Sequence, residues 1–221
     1  MGWDQKGNIF VSVIILIGVI ATGLVMLSPA MAQTEGTIVE DWASVKAPPP
    51  VELKPVTVNV KETAFLILDI EKRTCNAQRR PRCVASVPKI QKFLKQVRVK
   101  GMPVVYSLTS KGTPTGIWPE VAPQGGEPIV KSSVDKFFKT DLEKILQDKG
   151  IKTVIIVGTT AEGAVLHTAT GAAMRGLQVI VPVDGMSAGT MYAEQYTAWH
   201  LVNAPGSRGR TTLTRFDMIE F

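Results

Sequence analysis

Cysteine and histidine are scarce, with two of each in 221 residues. Two cysteines cannot build a disulfide-dense scaffold. Without histidines beside them, they also supply only half of a zinc site. Charged residues make up 20% of the chain and aromatics 6%, against 45% hydrophobic residues. That excludes a disordered chain and leaves ample material for a core. Collagen, coiled coils and multi-span membrane proteins are excluded as well. The formal charge is +6, which raises the question of nucleic acid, but the N-terminus directs the chain away from that compartment.

Ile9 to Leu27 is a run of 19 residues without a charge, preceded by Lys6. Ser28-Pro29-Ala30-Met31-Ala32 follows, with small residues at the two positions a signal peptidase reads. Residues 1–32 therefore read as a signal peptide cleaved after Ala32. The run is also long enough to span a bilayer, so a retained anchor is the alternative. Both place the bulk of the chain outside the cytoplasm, with the bacterial periplasm as the expected compartment. The membrane is a partner only if the segment is retained, and no nucleic-acid partner is expected. An oxidising compartment lets Cys75 and Cys83 form a disulfide. The chain-entropy model gives so short a loop roughly 2–3 kcal/mol.

Residues 33–55 are polar and contain Pro48-Pro49-Pro50, which suggests an extended tether. Residues 56–221 form one domain, with 51–62 giving an edge strand or arm. Ala64 to Leu68 is an uninterrupted apolar run, the pattern of a strand buried on both faces. Further strands are expected at 103–107, 128–130, 153–157 and 178–181, with a sixth near Leu213 to Ile219. Between them, Val87, Ile90, Phe93, Leu94 and Val97 fall at helical spacing. Phe138, Leu142, Ile145 and Leu146 repeat it, and Ala161 to Arg175 forms a third helical stretch. Alternating strands and helices imply an α/β fold: three αβα layers around a doubly wound, mainly parallel sheet of about six strands. Ligands of such sheets bind beyond the carboxyl ends of the strands.

At those ends stand Asp69, Lys131, the small-residue turn Gly158 to Ala164, and Asp184-Gly185. A carboxylate and an ammonium converging there would perturb each other's pKa and act as an acid/base pair. Backbone N–H groups of the turn would hold an oxyanion.

Thr63 to Asp69, Pro128 to Lys131 with Phe137 or Phe138 and Leu142, and Val157 to Val165 with Thr168, Ala169 and Gly176 closely resemble isochorismatase-like hydrolases. The resemblance covers about residues 56–220. It implies that Asp69 and Lys131 are catalytic, and that a cis peptide at Thr159–Thr160 helps form the oxyanion hole. It also implies a nucleophile position at residue 164 and, as in relatives, a dimer or tetramer. Here residue 164 is alanine, and a methyl group cannot attack a carbonyl. Glu71 replaces a glutamine frequent in the family. Residues 107–114 lack the histidine of metal-binding relatives, so neither metal nor cofactor is expected.

The family's vinyl-ether route needs no thiol: a protonated aspartic acid protonates carbon, and water adds to the oxocarbenium ion. Asp69 acting as general base on water at an activated carbonyl is the other route. Arg79, Arg80 and Arg82, with Trp118 as a wall, would admit a small anionic substrate. A pseudoenzyme that binds without turnover, or a periplasmic interaction protein, is the competing expectation.

Overall fold

The structure is a computed structural model that describes residues 36–221. The expected signal segment, 1–32, lies outside the described residues. The described residues fall in two units, 36–47 and Pro48–Phe221. In the first, Thr37 and Glu40 form a reciprocal capping box that starts a short helix, α1 (Ile38–Asp41). A 3₁₀ turn, Trp42–Ser44, follows it.

The second unit owes its architecture to strands whose two faces are both apolar. β1 (Val56–Thr57) precedes β2 (Thr63–Leu68), every residue of which is buried. α2 (Pro81–Val99), β3 (Val104–Leu108), β4 (Ile129–Lys131), α3 (Leu142–Asp148) and β5 (Thr153–Thr159) follow. A π-helical turn, Ala161–Val165, leads into α4 (Leu166–Met174), then β6 (Gln178–Pro182) and β7 (Met186–Ser187). α5 (Met191–Asn203), β8 (Thr211–Thr214) and β9 (Ile219–Glu220) complete the chain. The main sheet runs β4-β3-β2-β5-β6-β8, with β7 added alongside β5, and all its pairings are parallel.

Alternation along each strand divides the core in two. Ala64, Leu66, Leu68, Val154 and Ile156 pack on one face with α3, α4 and α5. Phe65, Ile67, Ile155 and Val157 pack on the other with α2. Phe93 of α2 meets Phe65 edge-on at 5.2 Å between centroids. Truncating so enclosed a ring typically costs about 3–5 kcal/mol. Gly158, the next-to-last residue of β5, has φ 132°, and a Cβ there would lie 2.0 Å from the Leu68 carbonyl oxygen. Only glycine lets β5 pass this close to β2.

The α/β class and the first five expected strands are present, but the sixth, expected near Leu213 to Ile219, is Thr211–Thr214, because Phe216–Met218 turns as a 3₁₀ helix and Ile219–Glu220 pairs with β1 instead. Three further boundaries differ. The arm at 51–62 contributes only β1, which pairs with β9 in a separate two-stranded sheet. The helix expected from Phe138 starts at Leu142, because the residues before it form the loop described below, and Phe138 itself is exposed. The compact unit begins at Pro48 rather than residue 56: Val51 and Leu53 pack on the core, and the Lys54 amide donates to the Leu213 carbonyl.

Candidate active site

Asp69 stands one residue past the carboxyl end of β2, and its side chain is almost wholly enclosed. Its φ is 55°, in the left-handed region that aspartate tolerates better than most residues. The Ser107 carbonyl accepts its N–H, while the Thr74 hydroxyl donates to its carbonyl at 2.8 Å. The carboxylate receives the Ser107 hydroxyl at 2.7 Å and a lysine ammonium at 2.8 Å.

That lysine is Lys136, not Lys131. Lys131 is exposed at the end of β4. The register explains why: Leu68 is level with Ser107, and Leu108 with Lys131. Asp69 and Lys131 thus share a level but stand two strands apart, roughly 10 Å across the sheet. The chain then folds back. The Ser132 amide donates to the Leu108 carbonyl, and the Ser132 hydroxyl to the carbonyls of Asp135 and Phe138. The Lys136 amide donates to the Thr168 hydroxyl of α4. Lys136 is thereby turned inward with zero exposure, its ammonium also facing the carbonyls of Ser133 at 2.6 Å, Ser132 at 3.3 Å and Leu108 at 3.4 Å. The sequence offered no clear signal for this. A lysine between an aspartate and two phenylalanines reads as an ordinary solvated charge.

Burial raises the Asp69 carboxyl above the ordinary value. The Lys136 charge, its hydrogen bond and that from Ser107 pull it back, and the nearby Glu71 pushes it up again. Desolvation dominates. Glu71 is fully buried: its Oε1 accepts the Thr109 amide at 2.7 Å, and its Oε2 has no partner. Gly112 leaves room beside it: a Cβ there would come within 2.1 Å of Oε2, so the Glu71 carboxylate would have to shift.

Beside this pair runs the turn after β5. The Thr159–Thr160 peptide is cis, and Thr159 and Ala164 are buried. The Thr159 hydroxyl donates to the Ser187 carbonyl, and the Gly163 and Val165 amides to the Thr160 carbonyl. A Cβ built on Gly163 would stand 3.6 Å from Val134, and Thr168 Oγ1 donates to the Val134 carbonyl. The turn and the loop carrying Lys136 therefore touch.

Residues 63–214 match the Isochorismatase domain model. The chain belongs to the isochorismatase-like hydrolase family. It is 29% identical to the secreted isochorismatase effector Isc1 of Verticillium dahliae over 60% of this chain and 76% of that protein. It is 30% identical to an N-carbamoylsarcosine amidase of Arthrobacter over 43% of this chain, which spans 47% of that enzyme. An isochorismatase-like hydrolase from Alkaliphilus metalliredigens superposes with TM-score 0.64 at 27% identity, covering 71% of this chain and 95% of that one.

The other predicted site residues divide within this family member. Cys75 and Cys83 are disulfide-bonded. Arg79 is exposed, and Arg82 is occupied by Glu194 of α5 through two bonds of 2.8 and 2.5 Å. Only Arg80 is partly sheltered, with one nitrogen on the Thr74 carbonyl at 2.7 Å. Burial and then Arg79 depress its pKa, while the Glu162 and Asp69 carboxylates support its charge. The three arginines thus do not converge: one lies by the site, one is in solvent, one ties α2 to α5. The Trp118 indole donates to the Cys75 carbonyl at 2.7 Å, which makes it a brace for the disulfide loop.

Proposed function

We propose that this family member is an exported hydrolase that works without a cysteine nucleophile, moving a proton through Asp69 while Lys136 balances the carboxylate charge. The carrying observation is the enclosed Asp69–Lys136 contact at 2.8 Å beside the cis turn. Ala164 occupies the position that the family resemblance gives to the thiol. A carboxyl raised by desolvation suits a general acid, because it retains its proton closer to neutral pH.

On a vinyl ether, Asp69 gives its proton to the alkene carbon, and the electron pair of the double bond forms the new C–H bond. Water adds to the resulting oxocarbenium ion, and the hemiketal collapses to a carbonyl compound and an alcohol, restoring the proton. Lys136 offsets the charge left on Asp69 between these steps. Arg80, near Asp69 and Glu162, is the residue assigned to a carboxylate on the substrate. Export rests on the 9–27 apolar run, the disulfide and the relative named as secreted.

A screen of the purified chain against vinyl ethers, amides and lactones tests this, with an Asp69→Asn variant beside it. Turnover by the native chain that vanishes in the variant is expected; turnover that survives it removes the mechanism. Mass spectrometry of the exported chain checks the compartment, with a first residue of Gln33 expected.

One observation favours a second reading, binding without turnover. The three ammonium protons of Lys136 already face Asp69 and three backbone carbonyls. Tight ligand binding with no product from any compound class would establish it.

A further inference from the structure

Between Glu71 and Glu120 the sequence has no acidic residue and eleven basic ones. The whole chain has 25 Lys and Arg against 19 Asp and Glu, so the remainder carries 14 basic and 19 acidic residues. The positive charge is therefore local. Nine of the eleven lie in the loop after β2 or on α2, where Arg82 and Arg98 are paired with Glu194 and Glu127. On α2, Cys83, Val87, Ile90, Leu94 and Val97 face the core. At 100° per residue, Lys89, Lys92 and Lys95 fall on the opposite arc together with Pro88 and Val99. All five are exposed, Val99 at 87%. The helix has 19 residues, about 28 Å of continuous length.

A solvated helix face ordinarily mixes both signs, which keeps its field short-ranged. Here Lys89 reaches Asp184 only at 3.5 Å, Asp217 borders the same groove as Lys89 and Lys92 but is paired with Arg215, and among the described residues no carboxylate forms an ion pair with Lys92 or Lys95. An exposed valine and a proline sit amid the cations.

We propose that this face of α2 docks on an anionic phospholipid surface. The charge complementarity is one-sided, and lysines around a few apolar side chains suit a headgroup layer, where the cations meet phosphates and the apolar atoms enter shallowly. Read as an export segment, as in the proposed function, the apolar run at 9–27 takes the chain across a membrane and away from nucleic acid, and the choice of lipid rests on that reading. This inference does not depend on the catalytic proposal.

The test uses the full chain and vesicles of phosphatidylcholine, alone or with phosphatidylglycerol added. The apolar run contributes equally to both, so the readout is the ratio of the two partition coefficients. The ratio should be well above unity at low salt and collapse at high salt. Replacing Lys89, Lys92 and Lys95 together by Gln should lower it roughly fivefold per lysine, on the order of a hundredfold in all. Lys54→Gln, Lys144→Gln and Lys149→Gln together, with the same charge change elsewhere, should leave it near the native value. A circular dichroism spectrum shows that both variants fold. Equal ratios for the native chain and the α2 variant, or an equal fall in the control, overturn the proposal. So does tighter retention by duplex DNA than by anionic vesicles at the same salt.

Discussion

Lys136→Met is the substitution with the clearest consequence, because it removes the only cationic side chain that, among the described residues, is hydrogen-bonded to a buried carboxylate. Lys136 has no exposure, and its partner Asp69 is nearly as enclosed. Losing one member of such a pair typically costs about 3–5 kcal/mol, since the other charge is left without compensation. For a chain of this size that corresponds to a fall in Tm of roughly 6–20 °C. The cost should depend on pH. Without the ammonium, desolvation and Glu71 both push the Asp69 carboxyl up, with only Ser107 opposing them. At acid pH a protonated Asp69 relieves the penalty, and the deficit should widen as pH rises toward neutral. Urea denaturation at several pH values measures this. Adding Asp69→Asn to Lys136→Met should recover part of the loss at neutral pH, by about 0.5–3 kcal/mol of coupling. Lys131→Met, at an exposed strand end, should stay within about 0.5 kcal/mol of native. A Lys131 effect equal to or larger than that of Lys136 would refute the assignment of the buried pair.

Other outcomes follow from the same site. Folding favours the protonated Asp69: that contribution is full below the ordinary value of 3.8 and is lost as pH rises through the raised one. In Glu71→Gln one raising influence disappears, so the alkaline limb of a pH–rate profile should move to lower pH; an unmoved limb would exclude Glu71 as a modulator. Ala164→Cys should create a thiol that iodoacetamide alkylates and that gives an acyl-enzyme burst with activated esters. A thiol that neither alkylates nor acylates would place residue 164 outside the site. Reducing Cys75–Cys83 should cost about 2.5 kcal/mol, read as a lower urea midpoint, and an unchanged midpoint would show the loop to be held by other contacts.

The strands and the site diverge in how far they could be read from sequence. Ala64 to Leu68 is apolar at every position, the pattern of a strand covered on both faces, and its alternation with helical spacing further on made the parallel sheet and its layers legible. Asp69 was legible for the same reason, as the first polar residue where the apolar run ends. The cis peptide at Thr159–Thr160 came from family resemblance rather than from periodicity, and the structure contains it.

The sequence by itself determined the α/β layers, the level of the sheet at which a site forms, and the carboxylate that stands there. Tertiary structure alone decided which cation meets that carboxylate and which arginine lies near it. Strand patterns specify height along a strand but not distance across the sheet, and β3 stands between Lys131 and Asp69. The loop that carries Lys136 inward is set by hydroxyl-to-carbonyl bonds from Ser132 and by the Thr168 hydroxyl on α4. Such contacts have no period, and they exist only once the layers have packed.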